Sequence, residues 1–138
     1  MMALIKVLQS DAFGATLMFT DTELADRFDD YLISNWDGDP SVRFEGDTVT
    51  YMFGPTMKEQ QVRMWLCQFI VEDASEEVVN DLKSEGVSSN EVISTLEDGV
   101  RCEGQTGEVI YRNTKTGVSL VLSTVGKQLL KVYREAHN

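Results

Sequence analysis

The chain has 138 residues, of which 42% are hydrophobic, and its formal net charge at pH 7 is −11. A chain of this length buries roughly two-thirds of the surface that its unfolded form exposes, so the composition predicts one domain over residues 1–138 and excludes a disordered chain. No apolar run approaches the ~18 residues of a membrane helix, and MMALIKVLQSD lacks a small-residue cleavage site, which predicts a cytoplasmic protein.

The negative charge is concentrated in the first hundred residues. Residues 1–100 contain 20 acidic and 6 basic side chains, whereas residues 101–138 contain 3 acidic and 6 basic ones. A surface with the charge of the first part repels phosphate backbones and attracts basic partners. The alternative is that the acidity only maintains solubility, because net charge bears on solubility before it bears on partners.

The N-terminal part combines strand patterns with one amphipathic helix. Residues 3–9 and 15–19 predict a hairpin. Thr20 and Glu23 have the spacing of a capping box, which predicts a helix that continues to about Ser34. The apolar face of this helix consists of Leu24, Phe28, Tyr31 and Leu32, and the acidic side of Glu23, Asp26, Asp29 and Asp30.

Residues 41–53 predict a second hairpin with its turn at Gly46-Asp47. Val42, Phe44, Val49, Tyr51 and Phe53 alternate with polar residues along its strands. A long helix over 56–72 follows, with a second capping-box pattern at Thr56 and Glu59. Its segment MWLCQFIV is apolar almost all round, so Met64, Trp65, Cys67 and Phe69 are expected in the core.

Two short helical patterns meet at Gly86-Val87-Ser88, and their spacing is that of a helix-turn-helix. The second begins with a third capping box, Ser88 and Glu91. A DNA-reading helix presents basic or amide donors to the major groove, whereas this one presents a net negative face. The pattern therefore predicts a helical corner, with a protein-docking surface as the alternative, and no direct DNA binding.

The C-terminal part predicts a third hairpin, from EVIYR and VSLVL, and then a helix over 124–136. Gly126 leaves a strand open as the alternative. In a helix, Lys127, Lys131 and Arg134 would lie on one face at i, i+4 and i+7. Such a face is either a solvated surface or an anchor for nucleic acid or for the acidic face of a second copy.

The sequence offers little for catalysis, cofactors or metals. His137 is the one histidine, and Cys67 and Cys102 are the two cysteines, so neither a histidine-dependent nucleophile nor a closed zinc site is expected. GVRCEGQT (99–106) resembles a phosphate-binding loop but has Gln105 in place of the lysine. Asp37, Asp39, Glu45 and Asp47 form a carboxylate cluster that does not fit a calcium loop.

These patterns predict an α+β fold in which three hairpins form one antiparallel sheet with helices on one face. The leading hypothesis is a non-catalytic, acidic protein-binding module without a cofactor. It would be an inhibitor or regulator, of the kind that phages and mobile elements encode, that engages a basic or nucleic-acid-binding protein and mimics nucleic-acid charge. The expected partner-binding residues are Asp26, Asp29, Asp30, Asp37, Asp39 and Asp47.

Two other classes stay open. A small-ligand binder or carboxylate-based enzyme would have a pocket between sheet and helices, lined by desolvated carboxylates. An oligomeric component, such as a homodimer, would have an exposed apolar patch or a free sheet edge.

Overall fold

The computed structural model describes residues 3–135, within which four helices and eight strands form an α+β fold. The strands are β1 (Ile5–Ser10), β2 (Gly14–Phe19), β3 (Ser41–Glu45), β4 (Thr48–Met52), β5 (Val100–Glu103), β6 (Val109–Arg112), β7 (Val118–Leu122) and β8 (Leu129–Arg134). The helices are α1 (Thr22–Asn35), α2 (Glu59–Asp73), α3 (Glu76–Ser84) and α4 (Ser89–Asp98). His137 lies outside the described residues.

The strands form two antiparallel four-stranded sheets, not the single sheet that was predicted. Sheet A has the order β1-β2-β4-β3, and sheet B has the order β5-β6-β7-β8. The α+β class is confirmed, but the description as three hairpins missed β5 and β8. β5 lies in the glycine-spaced segment between α4 and the third predicted hairpin, where its four residues are too few to give a clear alternation.

The predicted C-terminal helix is wrong and its alternative, a strand, is confirmed, because residues 129–134 pair with β7 as strand β8. The chain enters this strand through two residues in the left-handed region, Gly126 (φ 81°) and Lys127 (φ 50°), which a helix does not contain. The predicted basic face therefore does not form. Lys127 contacts Asp21 at 3.4 Å, and Arg134 contacts Glu91 at 2.9 Å.

One of the three predicted capping boxes is confirmed, that of Ser88 and Glu91 at the start of α4. The other two are wrong because other contacts cap those helices. Asp21 caps α1 by accepting from the Leu24 N–H at 3.0 Å. At α2 a distant side chain replaces the local cap, since the Glu59 N–H donates to Gln9 Oε1 at 2.7 Å.

A hydrophobic core cluster runs through both sheets and the helices between them. It includes Leu17 of sheet A, Phe69 of α2, Leu96 of α4 and Leu120 of sheet B. Of the residues expected in the core from α2, Trp65 and Phe69 are buried and Cys67 is half-buried against the core, whereas Met64 is 54% exposed. The prediction of one domain over 1–138 stays a prediction.

The helical corner predicted at Gly86 is present between α3 and α4. The Val87 N–H donates to the Leu82 carbonyl at 2.9 Å, and the Gly86 N–H to the Lys83 carbonyl at 3.3 Å. These two bonds make a Schellman motif, which requires the left-handed φ of 64° at Gly86. The first turn of α4 also contacts sheet B, because the Glu91 carboxylate lies 2.9 Å from Arg134 of β8.

The outer edge of β1 is covered by the end of α4. The Leu4 N–H donates to the Leu96 carbonyl at 3.1 Å, and the Val7 N–H to Glu97 Oε2 at 3.1 Å. The Glu97 side chain is only 11% exposed and also accepts from Arg63 Nη1 of α2 at 2.6 Å. One carboxylate thus joins β1, α2 and α4.

Replacing Glu97 with alanine is expected to lower the free energy of unfolding by about 2–3 kcal/mol, because it leaves the Val7 N–H and Arg63 without their shared acceptor. Urea unfolding followed by circular dichroism measures the loss. Glu59→Ala is the control, because Glu59 contacts the same arginine from within α2 at 3.0 Å and its removal should cost less than about 1 kcal/mol. Equal losses in the two variants would contradict the three-way role of Glu97.

Candidate functional site

The position of α1 on sheet A is determined by aromatic packing. Phe28 of α1 is completely buried, and its ring lies 5.4 Å from Phe19 and Phe69 and 6.1 Å from Tyr51, measured between centroids. The Tyr51 hydroxyl of β4 also donates to the Ala25 carbonyl at 3.2 Å. Burial raises the pKa of Tyr51, and the charges of Asp29 and Asp26 raise it further. These contacts place α1 over β2 and β4.

The outermost strand, β3, lies beyond the cover of α1, and all five of its residues are exposed. The register pairs Val42 with Tyr51 and Phe44 with Val49, so these side chains share the sheet face on which α1 packs. Tyr51 and Val49 are buried, whereas Val42 is 39% and Phe44 69% exposed. An apolar strip is therefore left open beside the helix.

A groove runs between this strip and α1. Its first part has a volume of about 420 Å³ and carries carboxylates along the α1 side, namely Glu23, Asp26 and Asp29. Its second part, about 180 Å³, adjoins the first at Asp29 and Val42 and ends at Ile33, Asp39 and Pro40. We call the two parts together the acidic groove. It combines exposed apolar side chains with a row of negative charges.

The charge of the acidic groove is not neutralised by neighbouring basic side chains. Among residues 3–135, no Lys or Arg nitrogen lies within 4.0 Å of a carboxylate oxygen of Asp26, Asp29 or Asp30. The one basic residue of α1, Arg27, contacts Asp73 of α2 at 3.0 Å instead. Partial burial raises the pKa of Asp29, and the charges of Asp30 and Asp26 raise it further.

The structure brings some of the predicted partner-binding residues together and separates others. Asp26, Asp29 and Asp39 line the acidic groove. Asp30 is exposed on α1 near Asp29, and Asp37 is exposed in the segment before β3 but lines neither part of the groove. Asp47 lies in the β3–β4 turn, in a separate polar cleft that also contains Arg101 and Lys127.

Sequence reasoning missed the apolar half of the site. The alternation of Val42 and Phe44 predicts that both side chains lie on the same face of the sheet. It carries no information about which strands of that face the helix covers. The position of Ile33 could have been predicted from the sequence. It lies three, four and seven residues after Asp30, Asp29 and Asp26, a spacing that places it on the acidic side of α1. Ile33 is 71% exposed there.

The other candidate sites have little geometry to support them. Within residues 3–135, no group of three or more His, Cys, Asp or Glu side chains is arranged to hold a metal ion. The segment that resembles a phosphate-binding motif, residues 99–106, forms strand β5 and the start of the turn to β6, without the following helix that the motif requires. Cys67 and Cys102 are both free thiols. No helix in the described part of the chain has the length and apolarity needed to cross a bilayer.

Replacing Asp29 with asparagine is expected to stabilise the fold at pH 7 by about 0.2–0.5 kcal/mol, because it removes a charge that partial burial and the neighbouring carboxylates both disfavour. The native pKa of Asp29 is raised, so its carboxylate lowers stability once the pH has risen through that pKa. The gain should disappear below the ordinary pKa of aspartate, where Asp29 is protonated in both states. Thermal unfolding at pH 3 and pH 7 measures it, with Asp37→Asn as the control of equal charge; a destabilised Asp29→Asn variant at pH 7 would contradict the account.

Comparison with protein-family models, with curated proteins and with solved structures finds no match to this chain.

Proposed function

We propose that this protein is a non-catalytic protein-binding module whose acidic groove engages a basic surface on another protein. The observation that carries the proposal is the juxtaposition of Phe44 and Val42, exposed on β3, with the unneutralised carboxylates of Asp26 and Asp29 on α1. Apolar anchors with a polar rim are the usual anatomy of a protein–protein interface.

The chemistry of the groove suits lysine and arginine side chains. Each has an apolar stem that packs on surfaces such as Val42 and Phe44, and a cationic head that can reach the α1 carboxylates. The negative row also attracts a basic partner over a distance, which raises the rate of association. Burial of the apolar strip then slows dissociation, so the two halves of the groove have separate effects.

A partner whose basic surface normally contacts phosphates is the best electrostatic match. The protein would then compete with nucleic acid for that surface and act as an inhibitor or regulator, as the size and charge of phage and mobile-element inhibitors suggest by analogy. Direct DNA binding is not part of the proposal, because the same charges repel a phosphate backbone. A cytoplasmic location is likewise a prediction.

The small-ligand alternative has less support. Its pocket was expected between sheet and helices, where an enclosed apolar hollow lined by Leu4, Phe19 and Leu66 has a volume of only about 20 Å³. Such a space is close to that of one water molecule. The acidic groove is larger but open along its length, whereas binding sites for small molecules enclose most of the ligand surface.

The test is capture of the partner from a lysate of the source organism at low salt, followed by binding measurements with the purified partner. The triple variant Asp26→Lys, Asp29→Lys and Asp30→Lys should bind at least about tenfold more weakly, because like charges then face each other across the interface. Phe44→Ser should also weaken binding, without changing its salt dependence.

The control variant is Asp11→Lys, Glu85→Lys and Glu103→Lys, which changes the net charge equally at exposed positions outside the groove. It should retain most of the affinity. Equal loss in both triple variants would mean that only net charge matters, and full affinity in the groove variant would exclude the acidic groove as the binding site.

A further inference from the structure

We infer that the partner enters the acidic groove as an extended segment that adds a fifth strand to sheet A at the free edge of β3. This inference rests on the proposed function and specifies its mode of binding. The segment would carry apolar and basic side chains in alternation.

The four sheet edges differ in what covers them. The edge of β1 is closed by α4 through the bonds to Leu96 and Glu97. The edge of β8 is closed by α3, which packs along it and places Asp81 Oδ2 3.5 Å from the Val132 nitrogen. β5 has four residues, and the polar cleft beside it holds the cations Arg101 and Lys127 together with carboxylates, so it lacks the unneutralised negative charge of the acidic groove. β3 combines an open edge with an adjacent apolar groove.

Two residues of β3 present their backbone groups to that edge. The turn at Gly46-Asp47 has two residues, with Gly46 at φ 61°, and the pair that closes such a hairpin exchanges backbone hydrogen bonds. Glu45, Arg43 and Ser41 therefore face β4, and the N–H and C=O groups of Val42 and Phe44 point outward. None of these outward groups has a backbone partner among residues 3–135 outside the sheet. They are the hydrogen-bonding template that an added strand requires.

The side-chain pattern of the added strand follows from the pleat. Alternate residues would lie beside Val42 and Phe44, on the face that α1 covers at β4, and would bury the apolar strip. These must be the basic residues, because strict alternation sends every apolar side chain to the opposite face. Their stems would pack on Val42 and Phe44, and their cationic heads would reach Asp26, Asp29 and Asp39 of the acidic groove. Pro40 precedes β3, so the paired segment spans the five residues Ser41–Glu45.

Charge selects a partner strand over a second copy of this chain. Pairing of β3 with β3 of another copy would bring two acidic grooves, each with Asp26 and Asp29, alongside each other in one extended sheet. Like charges at close range oppose that association. A basic segment would instead form backbone hydrogen bonds with the edge of β3 and place positive charge beside the carboxylates of the groove.

The probe is a short synthetic peptide, blocked at both ends, in which valine and lysine alternate. Its control has the same composition with the lysines and valines in separate blocks. We expect the alternating peptide to bind at least about tenfold more tightly, because only its pattern places all of its lysines on the face of the acidic groove. Amide hydrogen exchange followed by NMR should show protection that appears at Val42 and Phe44 and changes little at Arg43 and Glu45, which already face β4.

The outcomes separate this inference from the proposed function. Binding that depends on Asp26 and Asp29, but leaves the Val42 and Phe44 amides as exchangeable as before, would overturn strand addition and retain the groove as a binding site. A peptide that fails to bind, or one that binds no better than its block control, would also overturn strand addition. The proposed function is tested separately, by the charge-reversal variants and the captured partner.

Discussion

The packing of Phe28 is the constraint on which the candidate site depends. This ring is fully buried among aromatic residues of β2, β4 and α2, and it sets where α1 rests on sheet A. Because dense cores tolerate few displacements, α1 cannot slide toward β3 without opening a void behind it. The hydrogen bond from Tyr51 to the Ala25 carbonyl holds the same position. The strip of Val42 and Phe44 is thus exposed as a consequence of how the core is filled.

Electrostatics divides the acidic residues into two groups. Glu97, Asp73 and Glu91 each contact an arginine that connects two elements, so part of the negative charge stabilises the fold. Asp26 and Asp29 have no such contact among the described residues, and their mutual repulsion opposes folding. Surface residues that lower stability are commonly retained for function. This division is the physical ground for proposing the acidic groove, and not acidity in general, as the binding site.

The two edges of sheet A also differ in whether another element covers them. Sheet A has one edge bonded to α4 and the other open, although both strands have similar lengths. An open edge favours association with other strands, and natural proteins usually block it with charge, proline or a covering element. Here the negative charge beside β3 opposes pairing between copies while it attracts a basic segment. The proposed binding mode uses the edge and the groove as one surface.

The sequence by itself determined the features that depend on local spacing: the α+β class, the Ser88–Glu91 cap, the corner at Gly86 and the acidic side of α1. It named Asp26, Asp29 and Asp39, which line one groove, together with Asp47, which lies in another cleft beside Arg101. For the segment that forms β8 it favoured a helix, because the apolar spacing of residues 125–133 fits one, and kept a strand as the alternative. Pairing with β7 decides for the strand. Tertiary structure alone decided that Val42 and Phe44 are exposed. Alternation along a strand specifies which side chains share a face of the sheet, but the position of α1 over β2 and β4 decides which of those side chains are covered.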